Sequence, residues 1–170
     1  MKSKKIFPLI GITLIILFFI FGTPRYQSVK ISNESFIVLE NKLKEASNTN
    51  SEININNLTS FSWDECYVFP PYYPQEMIYE KVGREWTSSE TFIEFLMFHN
   101  IENQTVNDDQ YLIVFKKDNN IVLSKIYDLD QLPVIFKLDK YKFKSNNANF
   151  LIKVSNQYDE GKIKELTLKD

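Results

Sequence analysis

The stretch IFPLIGITLIILFFIFG, residues 6 to 22, carries no charged side chain and follows Lys2, Lys4 and Lys5. It constrains the chain more than any other feature, because a helix that is apolar on every face has no polar stripe to turn to water. As a helix its roughly 17 residues rise about 25 Å at 1.5 Å each, a little short of a hydrocarbon core of about 30 Å. Thr23 and Pro24 add length, and the lysines before it can snorkel. A cleaved signal peptide competes with this reading, but its apolar region is usually about 7 to 15 residues and ends at small residues. Here the run ends in FFIFGTPRY, bulky where small residues are wanted, and no cysteine follows it to take a lipid. The sequence thus predicts a basic tip over 1–5 and an uncleaved transmembrane anchor over 6–23. Three lysines before the run outweigh Arg25 after it. The positive-inside rule therefore predicts a single-pass protein of the cell membrane, with a cytoplasmic N-terminus and an extracellular C-terminal domain.

Beyond the anchor roughly 145 residues remain, enough for one domain with its own core. They carry 17 Lys and Arg against 22 Asp and Glu. That acidic balance speaks against a bulk-electrostatic role on nucleic acid. Cys66 is the only cysteine, which excludes an intrachain disulfide and a metal site built from paired cysteines. An exported domain without disulfides suits the outer face of a bacterial membrane better than a disulfide-rich secreted fold.

Residues 24–52 read as a juxtamembrane helix and a polar loop. Phe36, Leu39, Leu43 and Ala46 recur at helical spacing, and Ser47 to Glu52 are polar without period. Residues 53–170 read as the extracytoplasmic domain. From Ile53 the period becomes two, and Phe61, Trp63, Tyr67 and Phe69 share one parity, predicting strand with one core face until Pro70 and Pro71 end it. PQEMIYEKVG predicts a short helix opened by Pro74 and capped by Gly83. Thr87 with Glu90 resembles a capping box before FIEFLMF, a run that fits helix or buried strand equally. YLIVFKKDNNIVLSKIYDL predicts a hairpin, and NFLIKVSNQYDEGKIKELTL a second with Gly161 in its turn. The expected class is α+β, a small antiparallel sheet with short helices on one face.

Motifs for chemistry are sparse. His99 is the only histidine, and no serine sits in a nucleophile-elbow context. No phosphate loop, EF-hand or H-E-x-x-H occurs, so no cofactor and no metal are expected. Asp64 and Glu65 are adjacent, as are Asp108 and Asp109, and adjacent side chains on a strand point to opposite faces. Cys66 reads as a small buried hydrophobe.

The densest cluster is FSWDECYVFPPYYP, residues 61 to 74. Tyr72 and Tyr73 stand on a stiff proline-rich turn, where they offer amphipathic area at low entropic cost, with Trp63 and Phe69 expected to support them. A second candidate is KLDKYKFKS. There Lys140, Lys142 and Lys144 would share one face of an extended segment, either to dock anionic lipid or wall polymer or to protect an edge strand.

The segment FSWDECYVFPPYYPQEMIYEKVGREW resembles small, mostly uncharacterised extracytoplasmic proteins of Bacillus-type bacteria. The shared features are Trp63-Asp64, Tyr67 and Phe69, Pro71-Tyr72, a short helix, and Gly83 before Trp86, followed by a hairpin such as LIVFKKDNNIVL. The likeness runs from Phe61 to about Tyr127, with a longer segment here between Trp86 and Tyr111. It implies an exported location and an α+β fold, and it implies no activity.

The expectation is then a non-catalytic binding module, anchored in the membrane and meeting another protein or a cell-wall component. Two alternatives differ in class: a cell-surface hydrolase or transferase using carboxylates, with Asp64 as one of them, and an immunity-type protein guarding its own membrane.

Overall fold

The computed structural model describes residues 6–156 and 162–169. Helix α1, Ile6–Val29, runs on through Pro24 without a break. Proline has no N–H to offer the carbonyl four residues back, and beside it the Thr23 hydroxyl donates to the Phe19 carbonyl. Among the described residues one helix is long and apolar enough to cross a membrane, and it is this one.

The last turns of α1 belong to the folded domain. Tyr26 is 4% exposed, and its hydroxyl lies 2.6 Å from the Glu90 carbonyl and 3.0 Å from that of Ser89. The Thr87 N–H donates to the Val29 carbonyl and the Ile31 N–H to the Thr87 carbonyl, both at 2.9 Å. The Arg84 guanidinium donates to the Ser28 carbonyl at 3.0 Å, where a cation suits the negative end of a helix dipole.

Among the described residues eight strands form two four-stranded sheets, where a single sheet was expected. The first sheet has the order β1 (Glu52–Asn54), β7 (Asn149–Val154), β8 (Lys164–Leu168), β5 (Val134–Lys137). The second has the order β4 (Asn120–Asp128), β3 (Gln110–Lys117), β2 (Glu65–Phe69), β6 (Lys142–Lys144). All pairings are antiparallel except β5 with β8, which is parallel. Both predicted hairpin pairs form, β3 with β4 and β7 with β8. Gly161 lies outside the described residues.

The second sheet is covered on both faces, so its central strands lack the in-out alternation of a half-exposed sheet. On one face Cys66, Val68, Ile113, Phe115 and Leu123 join the larger core. That core also takes Phe36, Leu39, Leu43 and Ala46 from α2 (Phe36–Thr49) and Phe136, Phe150 and Leu166 from the first sheet. On the other face Tyr67, Phe69, Leu112 and Val114 pack with Ile78 and Val82 of α4 (Gln75–Val82) and with Trp86.

This two-sided burial corrects the single aromatic face read from parity. Phe61 and Trp63 precede β2 and pack edge-on to Phe115 in the larger core, centroids 5.2 and 5.1 Å away, whereas Tyr67 and Phe69 point to the opposite side. Alternation carries side chains to one face only within a continuous strand. Strand β1 is likewise shorter than the pattern suggested, because Ile55 opens a one-turn helix, α3 (Ile55–Leu58), whose cap is the Asn54 side chain.

The remaining helices follow their end signals. Gly83 takes the left-handed conformation (φ 78°) that closes α4, its N–H donating to the Tyr79 carbonyl at 2.8 Å. FIEFLMF is helix, α5 (Phe92–Phe98), and its capping box is Thr91 with Glu94. Thr87 with Glu90 does not form that box, since the Thr87 hydroxyl is engaged by Glu102.

Candidate binding face

The proline-rich turn after β2 is built from both sides. Burial of Phe69, which has no exposed surface, fixes the end of the strand. The buried Thr105 hydroxyl then donates to the Pro70 carbonyl at 3.0 Å and accepts the Tyr73 N–H at 3.2 Å. Between these ties the chain passes Tyr72 in a left-handed conformation, φ 59°. Its side chain is 58% exposed, and a hydrogen bond to Asp108 leads the causes that raise its phenol above the ordinary value.

Tyr73 turns back onto the domain, its ring centroid 5.0 Å from Phe69 and 5.3 Å from Tyr141. Tyr141 also has a left-handed backbone, φ 56°, and its carbonyl accepts the Val68 N–H at 2.8 Å. Tyr67 continues the row by stacking on Phe69 at 6.1 Å. Lys81 lies 5.7 Å from the Tyr141 ring and Lys142 5.5 Å from that of Tyr67, within the range of cation–π attraction. Beside Tyr141 a cleft of about 210 Å³ opens among Val68, Pro70, Phe136 and Leu138.

The expected site residues are therefore brought together in part. Tyr73 packs on Phe69, and Tyr72 stands exposed beside it in the same turn. Trp63 does not support them, because it lies on the opposite side of the sheet with its ring 5.6 Å from Phe143. Tyr141, which the sequence pattern gave no reason to select, takes that supporting place. Lys142 and Lys144 flank buried Phe143 on β6, an edge strand of its sheet. Lys142 pairs with Glu65 at 3.0 Å. Lys140 is exposed and stands outside the strand, separated from it by the left-handed Tyr141.

The acidic pair is structural. Asp64 accepts the Asp118 N–H at 2.7 Å and pairs with Lys117 at 3.1 Å. These two contacts hold the β3–β4 turn and lower its carboxyl. Burial would raise the Glu65 carboxyl, but hydrogen bonds from Lys142 and the Tyr67 hydroxyl outweigh it and the group lies below its ordinary value. Both carboxylates are occupied, and they point into different surroundings. Cys66 is fully buried, which pushes its thiol well up.

One cluster escaped the sequence reading. His99 and Glu102 are three residues apart in a turn, and Nδ1 of the imidazole is 3.4 Å from Glu102 Oε1. The other carboxylate oxygen accepts from the Thr87 and Ser89 hydroxyls at 2.8 and 3.1 Å. Asn103 Nδ2 donates to the Tyr79 hydroxyl at 3.0 Å, and Gln75 Nε2 to the His99 carbonyl at 2.6 Å. Every member thus serves to tie α4, the Thr87–Ser89 segment and the turn after α5 together. Ser89 donates to the carboxylate and not to the imidazole. Among the described residues no three His, Cys, Asp or Glu side chains group as a metal site.

No family model, no curated protein and no solved structure matches this chain.

Proposed function

We propose that the chain is a single-pass membrane protein with its N-terminus in the cytoplasm, whose outer domain is a non-catalytic module that binds a cell-wall component or another protein. Contact is through Tyr72, Tyr73 and Tyr141, with Phe69 beneath them. The lysines before the apolar run and the length of α1 support the placement.

The observation that carries the binding role is the backbone at these tyrosines. Among the described residues three other than glycine have positive φ: Asp118 in a hairpin turn, and Tyr72 and Tyr141. Aspartate tolerates that conformation, but for a bulky side chain it is costly, and such strain gathers at functional sites. Two strained tyrosines flank Tyr73, Tyr72 in the chain and Tyr141 by ring contact.

A photoreactive benzoylphenylalanine in place of Tyr72 tests this in whole cells, with the same group at exposed Ile37 of α2 as control. An adduct with wall polymer or with one protein, formed at 72 and lost on Tyr141→Asn, is expected. Equal labelling at both positions, or none at 72, would remove the basis for a binding face.

A further inference from the structure

Helix α5 presents an uncovered apolar face. Ile93, Leu96 and Met97, at spacing i, i+3, i+4, are 63%, 47% and 67% exposed, and Ile101 just beyond the helix is 61% exposed. A contiguous apolar patch of this kind marks an interaction surface. Its neighbour indicates what covers it. Phe92, the first residue of α5, packs on Phe18 and Phe19 of α1, with ring centroids 5.9 and 5.7 Å apart. A Cβ added at Gly22 would fall 2.5 Å from the same ring, so the absent side chain is what admits α5 to the anchor. Phe18, Phe19 and Gly22 lie in the uncharged run, and Phe18 precedes Gly22 by about 6 Å along the axis. Leu17, Phe18, Phe21, Phe92 and Leu96 line an open apolar crevice of about 500 Å³ between the two helices. Since α1 enters the domain as unbroken helix and is tied there through Tyr26, Val29 and Thr87, the depth of α5 is set by the depth of the anchor.

We propose that α5 lies in the membrane surface on the domain's side of the bilayer, with Ile93, Leu96 and Met97 among the acyl chains and lipid filling the crevice beside Phe21. This rests on the reading that α1 spans the membrane. A helix lying in the interface with its apolar face inward sits about 5–10 Å into the boundary between headgroups and chains. Arg25, one turn beyond Gly22, is then level with the headgroups. A span of about 25 Å is shorter than an ordinary hydrocarbon core, and a short span is met by local thinning. A second apolar helix at its outer end supplies the surface for that adjustment.

Spin-label accessibility decides the matter in the full-length protein, reconstituted in vesicles of phosphatidylethanolamine and phosphatidylglycerol. Single cysteines replace Ile93, Met97, Ile16 of α1, and Val154, an exposed apolar residue on β7. The wild type, with only its buried Cys66, is the blank. The labels at 93 and 97 are expected to favour collision with oxygen over a water-soluble nickel chelate several-fold more than the label at 154 does, as the label at 16 also will. Labels at 93 and 97 that match 154 while 16 stays in lipid would overturn the proposal and leave the anchor standing. Labels at 93 and 97 shielded from both reagents would overturn it in favour of a protein partner or a second copy. A nickel-accessible label at 16 would overturn the anchor and this proposal together.

Discussion

Replacing Tyr141 by Ala and by Asn separates the two parts of its role. Both changes delete the same ring, which is about two-thirds buried against Tyr73 and Phe69. From its area and ring contacts that deletion costs about 1–3 kcal/mol. The variants differ in the backbone they leave behind. At φ 56° a residue with an ordinary side chain carries about 1–2 kcal/mol of strain, which asparagine relieves in part by local hydrogen bonding. Tyr141→Asn should therefore be more stable than Tyr141→Ala by about 1 kcal/mol, or about 2–4 °C in Tm for a chain of this size. Urea unfolding of the full-length protein in detergent, followed by the fluorescence of Trp63 and Trp86, measures the difference. Equal stability of the two variants would mean that Tyr141 is not held left-handed, and the strained frame proposed for the binding face would fall with it.

Other consequences follow from burial and charge. Glu65 is depressed in the folded state, so its contribution is complete above its unfolded value near pH 4.5 and is lost as pH falls through the lower folded value. Glu65→Gln should cost about 1 kcal/mol at neutral pH, a cost that shrinks as the pH falls below the unfolded value and disappears once it has passed the lower folded one, as urea midpoints across an acid titration will show. A difference unchanged across the titration would remove the charge from the account. Cys66 is sealed in the larger core, so iodoacetamide at pH 8 should add no mass to the folded protein and one adduct after urea. Prompt native alkylation would mean the core opens at β2.

Much of the fold was legible where a local rule acts alone. The uncharged run, Gly83 after α4 and the two hairpin pairs each depend on near neighbours in sequence. The rest depends on partners far along the chain. Tyr67 and Phe69 were separated from Phe61 and Trp63 because β2 begins only at Glu65, a boundary that parity cannot see. The parallel pairing of β5 with β8 joins segments about thirty residues apart, and the division of the strands into two sheets likewise rests on distant partners. At the candidate face, the Tyr72-Tyr73 turn was visible from its prolines. Tyr141 was hidden because a left-handed tyrosine has no sequence signal, unlike glycine or asparagine in the same conformation. The His99–Glu102 cluster was hidden for a related reason, since its polar partners Thr87, Ser89 and Tyr79 come from other segments.

The most direct test of an anchored outer domain is fractionation of cells expressing the tagged full-length chain, with intact mass and protease shaving of whole cells. A membrane-bound protein of uncleaved mass, resistant to carbonate extraction and shaved from outside, is the expected result. A shorter protein in the medium, or a full-length one protected from external protease, would contradict it.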